Sequence, residues 1–395
     1  MITIRDVKVY ATAPDNVNLT VVKILTSEPE LYGYGCATFT QRHVAVISII
    51  KNYLKQFLVG KDVSQIEDIW NSTMTSGYWR NGPEFNNALS GIDMALWDIK
   101  GKMAKLPLFQ LLGGKCRFAV PLYCHAEGED NENLRDNINK MLEKGFKHIR
   151  CKVTKGSDTN KSIDSRTSQS NFHPKSYMKS TINMFEYLRS YFGEDIELIH
   201  DVHERLDPTD AVGFAKKLER FDLFYLEDIL PPEQKDWLYR IRQTTTTPLA
   251  MGELFNNPSE WVPLISKRLI DFIRIHITQI GGITPAKKIV SLCETFGVKT
   301  AWHGPIDLSP IGHAANIHLD ISSINFGIQE WQKISEKTRE IFPGTPEVKN
   351  GLAYPNNKPG LGIEFNEKLA ETYPTSVSIA NWTSTRLQDG TSIKP

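Results

Sequence analysis

At 395 residues the chain can bury a large core and has room for two or three domains, or for one barrel with additions. Its 46 basic and 46 acidic residues cancel, which excludes a global field that would draw in nucleic acid or an anionic membrane surface. No apolar run nears the roughly 20 residues needed to span a bilayer, and five scattered cysteines (Cys36, Cys116, Cys124, Cys151, Cys293), without CxxC spacing, read as reduced thiols of a cytoplasmic protein.

The opening MITIRDVKVYATAP alternates like a strand and lacks the basic-then-apolar layout of a secretory signal, and NLTVVKILTS reads as a second strand. An apolar-periodic helix is predicted from about His43 to Leu58. A second covers NNALSGIDMALWDIKGKMA, where Ala88, Ile92, Ala95 and Leu96 recur at helical spacing before LPLFQLLGG closes on a glycine pair. This is an α+β module, expected over residues 1–117 and completed by 355–395.

From about Val120 the pattern becomes strand, polar residue, amphipathic helix, repeatedly. The candidate strands are VPLYCHAEG, KHIRCKV, IELIHDVHE, LFYLEDI, PLAMGEL, DFIRIHITQ, KTAWHGP and INFGIQE, with helices such as TDAVGFAKKLERF and TPAKKIVSLCETFG between them. About eight βα units imply an α/β fold with a closed barrel rather than an open sheet, expected over 118–354. The stretch around GHAANIHLDI is less regular than the other helices. One segment breaks the rhythm: the polar run from Lys155 to Ser180 after the second barrel strand reads as an inserted lid or a disordered loop.

The candidate strands end in polar or charged residues: His125, Arg150, Asp201 with His203, Glu227, Glu253, Arg274, His303 and Glu330. Asp201 and His203, two apart, would share one side of a strand, as a metal ligand beside a proton-transfer group or as an ordinary surface pair. Asp201, Glu227 and Glu253 follow one another at intervals of 26 residues, about one βα unit, and are expected at equivalent heights on successive strands. Barrel active sites lie at the carboxyl ends of the strands, so these residues form a ring around one mouth. Three carboxylates without a nearby cysteine favour Mg²⁺ over zinc, which recruits imidazole or thiolate.

A divalent cation against a substrate carboxylate suits removal of the α proton, because it stabilises the enediolate that forms. His203 and His303 are then candidates for general acid or base, and Arg274 and Arg150 for holding carboxylate or hydroxyl groups. Either histidine taken alone could equally be a hydrogen-bonded core residue.

The phrases YWRNGP, GIDMALWDIKGK, LFQLLGG, YCHAEG, HDVHER, YLEDILPPE, PLAMGELFN, IDFIRIHITQIGGITP, HGPIDLSP and NFGIQE resemble the enolase superfamily. More narrowly they are similar to its mannonate dehydratase subgroup, which includes the starvation-sensing, D-galactonate dehydratase family-like proteins. The resemblance implies a (β/α)7β TIM-like barrel with an α+β N-terminal capping domain that closes over the substrate. It implies one Mg²⁺ per subunit on Asp201, Glu227 and Glu253, with His203 as the acid for the departing 3-hydroxyl. It places Thr40, His125, His203, Glu253, Arg274, His303, Asp307 and Glu330 against an acid sugar. The implied reaction is loss of water from a hexonate such as gluconate or mannonate, giving a 2-keto-3-deoxy acid, in a homo-oligomer with no nucleic-acid or membrane partner.

Three features depart from that pattern. The family's base is a tyrosine on the loop after the second strand, paired with an arginine. Arg150 is present, but no tyrosine occurs until Tyr177, which reads as the start of the next helix. Lys152, two residues beyond Arg150 and on the same face, is the candidate substitute. Thr40 stands where the family has asparagine, and the tail LQDGTSIKP lacks the terminal tryptophan. The readings are therefore an Mg²⁺-dependent dehydratase of low activity, a silent acid-sugar binder or sensor, and a racemase or cycloisomerase. The last is disfavoured because those branches place paired lysines after the second strand.

Overall fold

The computed structural model describes residues 1–154, 160–161, 170–377 and 384–393. Three antiparallel strands in sequence order, Ile4–Thr12, Leu19–Thr26 and Tyr32–Cys36, make the amino-terminal sheet. The sheet lies directly on the helix Pro83–Ala104. The approach is so close that a Cβ on Gly35 would strike the Gly91 carbonyl of that helix, so only glycine fits there. Ile4, Val22, Ile24, Val46, Ile50, Ile92 and Ala95 fill the core between sheet and helices. The helix expected over His43 to Leu58 is continuous, but its middle turn, Ile50–Leu54, is π-helical.

Eight parallel strands follow: Val120–Gly128, His148–Val153, Glu197–Asp201, Tyr225–Glu227, Leu249–Met251, Phe272–Ile273, Lys299–Thr300 and Gln329–Glu330. The first seven pair in this order, a bridge from Thr300 to Phe326 leads into the eighth, and Glu330 pairs back with Tyr123 to close the ring. Helices occupy all seven connections, as a (β/α)7β barrel requires. Tyr123, Ile199, Tyr225, Ala250, Phe272, Ala301 and Ile328 pack its interior. Beyond the barrel, Leu352 in the strand Leu352–Tyr354 pairs with Pro121. The chain then returns to the amino-terminal sheet, where Tyr10 Oη and Lys23 Nζ each donate to Glu367 at 2.6 Å and Asn18 Nδ2 donates to the Ser376 carbonyl at 2.8 Å.

Two expectations need correction. The irregular-looking GHAANIHLDI lies within a regular helix, Pro310–Ser322, whose residues from Pro310 to Ile321 are all buried. A helix covered on every side has no polar stripe, so it shows no amphipathic period. The polar insertion is shorter than 155–180: Pro174–Phe192 is helical, and Tyr177, Thr181, Met184, Phe185 and Leu188 give it a buried face. Half of the expected lid, 155–159 and 162–169, lies outside the described residues. All five cysteines are free thiols. Among the described residues, no helix is long and apolar enough to cross a membrane.

Several histidines are built into this core as neutral rings. His318 accepts the Phe109 N–H at Nδ1 (3.1 Å), its Nε2 meets the Leu361 carbonyl (3.2 Å), and burial pushes its pKa down to about 4. The stability it contributes is complete above the unfolded-state value of roughly 6.5 and is lost as pH falls towards 4. His318→Gln should therefore unfold at lower urea than the parent at pH 7.5, by about 1–3 kcal/mol. That gap should narrow at pH 4.5, and a gap independent of pH would show that His318 is not held neutral.

Candidate active site

Asp201 and Glu227 end the third and fourth barrel strands and are direct partners in the parallel ladder. Oxygens of Asp201, Glu227 and Asp228 lie within 4.8 Å of one another, an all-carboxylate cluster suited to a hard cation. Glu253, expected as the third ligand, is not part of that group of three and is linked to it through Arg274. Glu227 pairs with Ala250, so the 26-residue spacing does not make Glu253 level with Glu227; it stands three residues past that rung. Gly252, at φ +139°, turns the chain there, and its N–H donates to Asp228 Oδ1 at 3.0 Å. Sequence reasoning passed over Asp228, although it directly follows Glu227 in YLEDI.

The same-side placement of Asp201 and His203 also has another cause than the one expected. The strand stops at Asp201, and His203 and Glu204 adopt positive φ, 54° and 59°. In this turn Asp201 Oδ1 accepts the His203 N–H and Oδ2 meets His203 Nε2, both at 2.8 Å. A carboxylate folded back onto the backbone N–H two residues on, rather than the pleat of a strand, brings acid and imidazole together. Burial opposes the charge on Asp201, but His203 and Arg150 outweigh it and hold the carboxyl well below the usual range.

Arg274 organises the rest. It immediately follows the sixth strand, is fully buried, and its guanidinium meets Glu227 at 2.9 Å, Asp228 at 3.2 Å, Glu253 at 2.6 Å and Glu330 at 2.8 Å. Arg150, on the second strand, adds contacts to Asp201 at 2.6 Å and Glu227 at 3.2 Å. Two guanidinium groups thus face five carboxylates (Asp201, Glu227, Asp228, Glu253 and Glu330), an excess of negative charge that suits a divalent cation. Burial, with Asp201 adding repulsion, raises Glu227 well above the ordinary carboxylate range despite Arg274.

The first strand supplies the floor. Tyr123 and His125, two apart, share its inner face: Tyr123 Oη accepts from Arg274 Nε at 3.1 Å and donates to Glu227 at 3.3 Å. Gln332 donates to His125 Nδ1 at 3.1 Å, which fixes the proton on Nε2, and Nε2–H donates to Glu330 at 2.7 Å. Glu330 also accepts the Gly304 N–H at 2.9 Å. Tyr123 was legible by its period-two relation to His125, whereas nothing in the sequence marked Gln332. His303 Nε2 lies 3.3 Å from Glu253 and 3.7 Å from Glu330. On the capping side Thr40 Oγ1 reaches Asp307 Oδ2 at 3.4 Å, and burial, with Glu253 and Glu330 adding to it, raises Asp307 to about 6.

Lys152 and Tyr177 line one pocket together with Arg150, Asp201, His203 and Arg205. The Tyr177 hydroxyl, however, is 2.8 Å from His200 Nε2. His200 alternates with Asp201 and faces the helix layer, where its ring lies against Phe185 and Phe214. Tyr177 is therefore tied behind the third strand. The strand His148–Val153 alternates half-buried and buried positions, which puts Lys152 on the face of Arg150.

The mandelate racemase / muconate lactonizing enzyme N-terminal domain family matches residues 2–113, and the family described as enolase C-terminal domain-like matches 133–369. The chain belongs to the enolase superfamily. Within it, a D-galactonate dehydratase family member of Musicola paradisiaca is 52% identical over 412 aligned residues, covering 99% of each chain. One of Enterococcus gallinarum is 52% identical over 398, covering 100% of this chain and 99% of the relative. Such likeness makes this enolase superfamily chain a member of the D-galactonate dehydratase family. The crystal structure of an enolase from Pantoea ananatis with bound D-gluconate and Mg matches it with a TM-score of 0.95 at 51% identity over the whole of both chains.

The Arg274 hub predicts a large stability effect. Removing one partner of a buried ionic cluster leaves uncompensated charge and costs about 3–5 kcal/mol. Arg274→Met should lose that much in urea denaturation at pH 7. Arg274→Lys should recover little of it, because one ammonium cannot fork between four carboxylates. Full stability in either variant would contradict the hub.

Proposed function

We propose that this chain is an Mg²⁺-dependent acid-sugar dehydratase, acting slowly on a hexonate such as gluconate or mannonate. The observation that carries the reading is the carboxylate cluster with the His203 imidazole against Asp201, in a chain half identical to a relative that holds D-gluconate and Mg. The donor set fits the cation, being oxygen throughout. Asp201, Glu227 and Glu253 would hold it, with Asp228 beside them bound to the Gly252 N–H and to Arg274. Bound there, Mg²⁺ would supply positive charge beside the sugar carboxylate and acidify the C2 proton.

The remaining work falls to the chain's own residues. Lys152 takes the proton from C2, the electron pair forms the C2–C3 double bond, and the C3 hydroxyl leaves as water with a proton from His203. The enol product then becomes the 2-keto-3-deoxy acid. Arg274, His125, His303, Asp307, Glu330 and Thr40 are the proposed sugar contacts. A second reading, a silent acid-sugar binder, draws support from Tyr177, whose hydroxyl is held to His200 rather than offered beside Arg150. Against the mannonate dehydratase pattern that the sequence resembles, that placement supports slow turnover, since loss of a positioned base costs roughly 10²- to 10⁴-fold.

The test is a stereochemically complete panel of acid sugars with Mg²⁺, reading 2-keto-3-deoxy product and deuterium uptake at C2. Slow product from at least one sugar is expected. Lys152→Met should stop deuterium uptake, and His203→Asn should block elimination while leaving exchange running. Full-rate dehydration by Lys152→Met would remove Lys152 as base. A blank panel with binding intact by calorimetry would establish the silent binder.

A further inference from the structure

Glu253 is the one proposed cation ligand that no strand ladder holds: the fifth strand ends at Met251 and the ligand follows on a turn. The beginning of that turn is fixed by Asp228, through the Gly252 N–H. Its far end is held within the barrel by Glu260, whose carboxylate accepts the Asn256 and Asn257 N–H groups, and from outside the barrel by the capping module. Asn86, fully buried on the capping helix Pro83–Ala104, donates one amide hydrogen bond to the Asn256 carbonyl at 2.9 Å and another to the Gln279 carbonyl at 2.7 Å. Asn256 closes the loop that carries Glu253. Gln279 belongs to the loop after the sixth strand, which carries Arg274, and its N–H returns to the His276 carbonyl at 3.0 Å. One side-chain amide therefore bridges the two loops that the 2.6 Å pair of Arg274 and Glu253 spans.

The orientation of this amide is determined by its surroundings. Both acceptors are carbonyls, so the nitrogen must face them, and Asn86 Oδ1 is left buried without a hydrogen-bond partner. The neighbouring Asn87 Nδ2 adds a 3.1 Å bond to the Gln279 side chain. Other contacts of the capping module with the sixth-strand loop, such as Trp70 Nε1 to the Gly281 carbonyl at 2.9 Å, do not touch the loop of Glu253.

We propose that Asn86 is a positioning residue for the cation site, holding Glu253 at its working distance from Arg274 by tying both loops to the capping module. This rests on the proposed cation ligands Asp201, Glu227 and Glu253. Residues that orient ligands without touching the metal are commonly worth 10- to 100-fold in affinity. The capping helix on this view is a fixed part of the cation site as well as a cover for it.

The experiment is calorimetric titration of the full-length protein with MgCl₂, in parallel with urea unfolding without metal. Asn86→Ala should weaken Mg²⁺ binding roughly 10- to 100-fold, and Asn86→Asp, which lacks the two donors, should do at least as much. Trp70→Phe loses a hydrogen bond at the same interface and should lower stability while keeping Mg²⁺ affinity within about twofold of the parent. If Asn86→Ala does not fold, Asn86→Ser is read in the same titration. Asn86 variants that unfold at lower urea yet bind Mg²⁺ like the parent would reduce Asn86 to a structural contact and overturn the proposal. Glu227→Gln distinguishes the other failure: parent-like Mg²⁺ binding by that variant would overturn the ligand assignment itself, and the positioning role with it.

Discussion

The guanidinium of Arg274, without any exposure to solvent, meets carboxylates delivered by the fourth, fifth and eighth strands and the turns after them. A charge in that position is tolerable only if its donors are satisfied and its partners are charged in return. The consequence runs both ways. The acids can be packed side by side at the end of the barrel because the cation is among them, and the cation can be buried because they surround it. Tyr123 beneath, Arg150 beside and His125 against Glu330 extend the same network around the mouth.

This network makes the barrel end a rigid platform. Asp201 and Glu227 are fixed by facing rungs of one ladder. Glu253 and Arg274 stand just beyond the paired strand residues, whereas His303, past the end of its strand, is held by a bridge to His276. The capping module touches the platform at separate points, Thr40 on Asp307 and Asn86 on the two loops, and the returning tail binds it again through Glu367.

The same division separates the strand-borne part of the proposed site from the connecting loop after the second strand. The charged residues at the strand ends and in the turns after them hold one another in the ionic cluster. A connecting loop carries no such constraint and can be rewritten at little cost to the fold. Here the segment after the second strand contains no tyrosine before Tyr177, whose place in the helix Pro174–Phe192 directs its hydroxyl to His200. Lys152 is still on a strand, on the face of Arg150, where backbone alternation alone fixes its side.

By itself the sequence determined the repeating βα pattern, the barrel it implies, and the identity of the polar residues that gather at its mouth. Hydrophobic periodicity is local, and strand ends are marked by the charge that follows an apolar run. It also identified Asp201 with His203, and Glu227, as neighbours in the site. What it did not contain was the reason for those neighbours. Asp201 and His203 meet through a turn with two positive-φ residues, which a period-two reading mistakes for strand. Equal spacing placed Glu253 level with Glu227, whereas the register is offset by three residues, because strand stagger in a closed barrel depends on all eight strands at once. Asp228, Gln332 and Asn86 act through partners 24 to 207 residues away. Contacts of that range have no local signature, so only the tertiary structure could decide them.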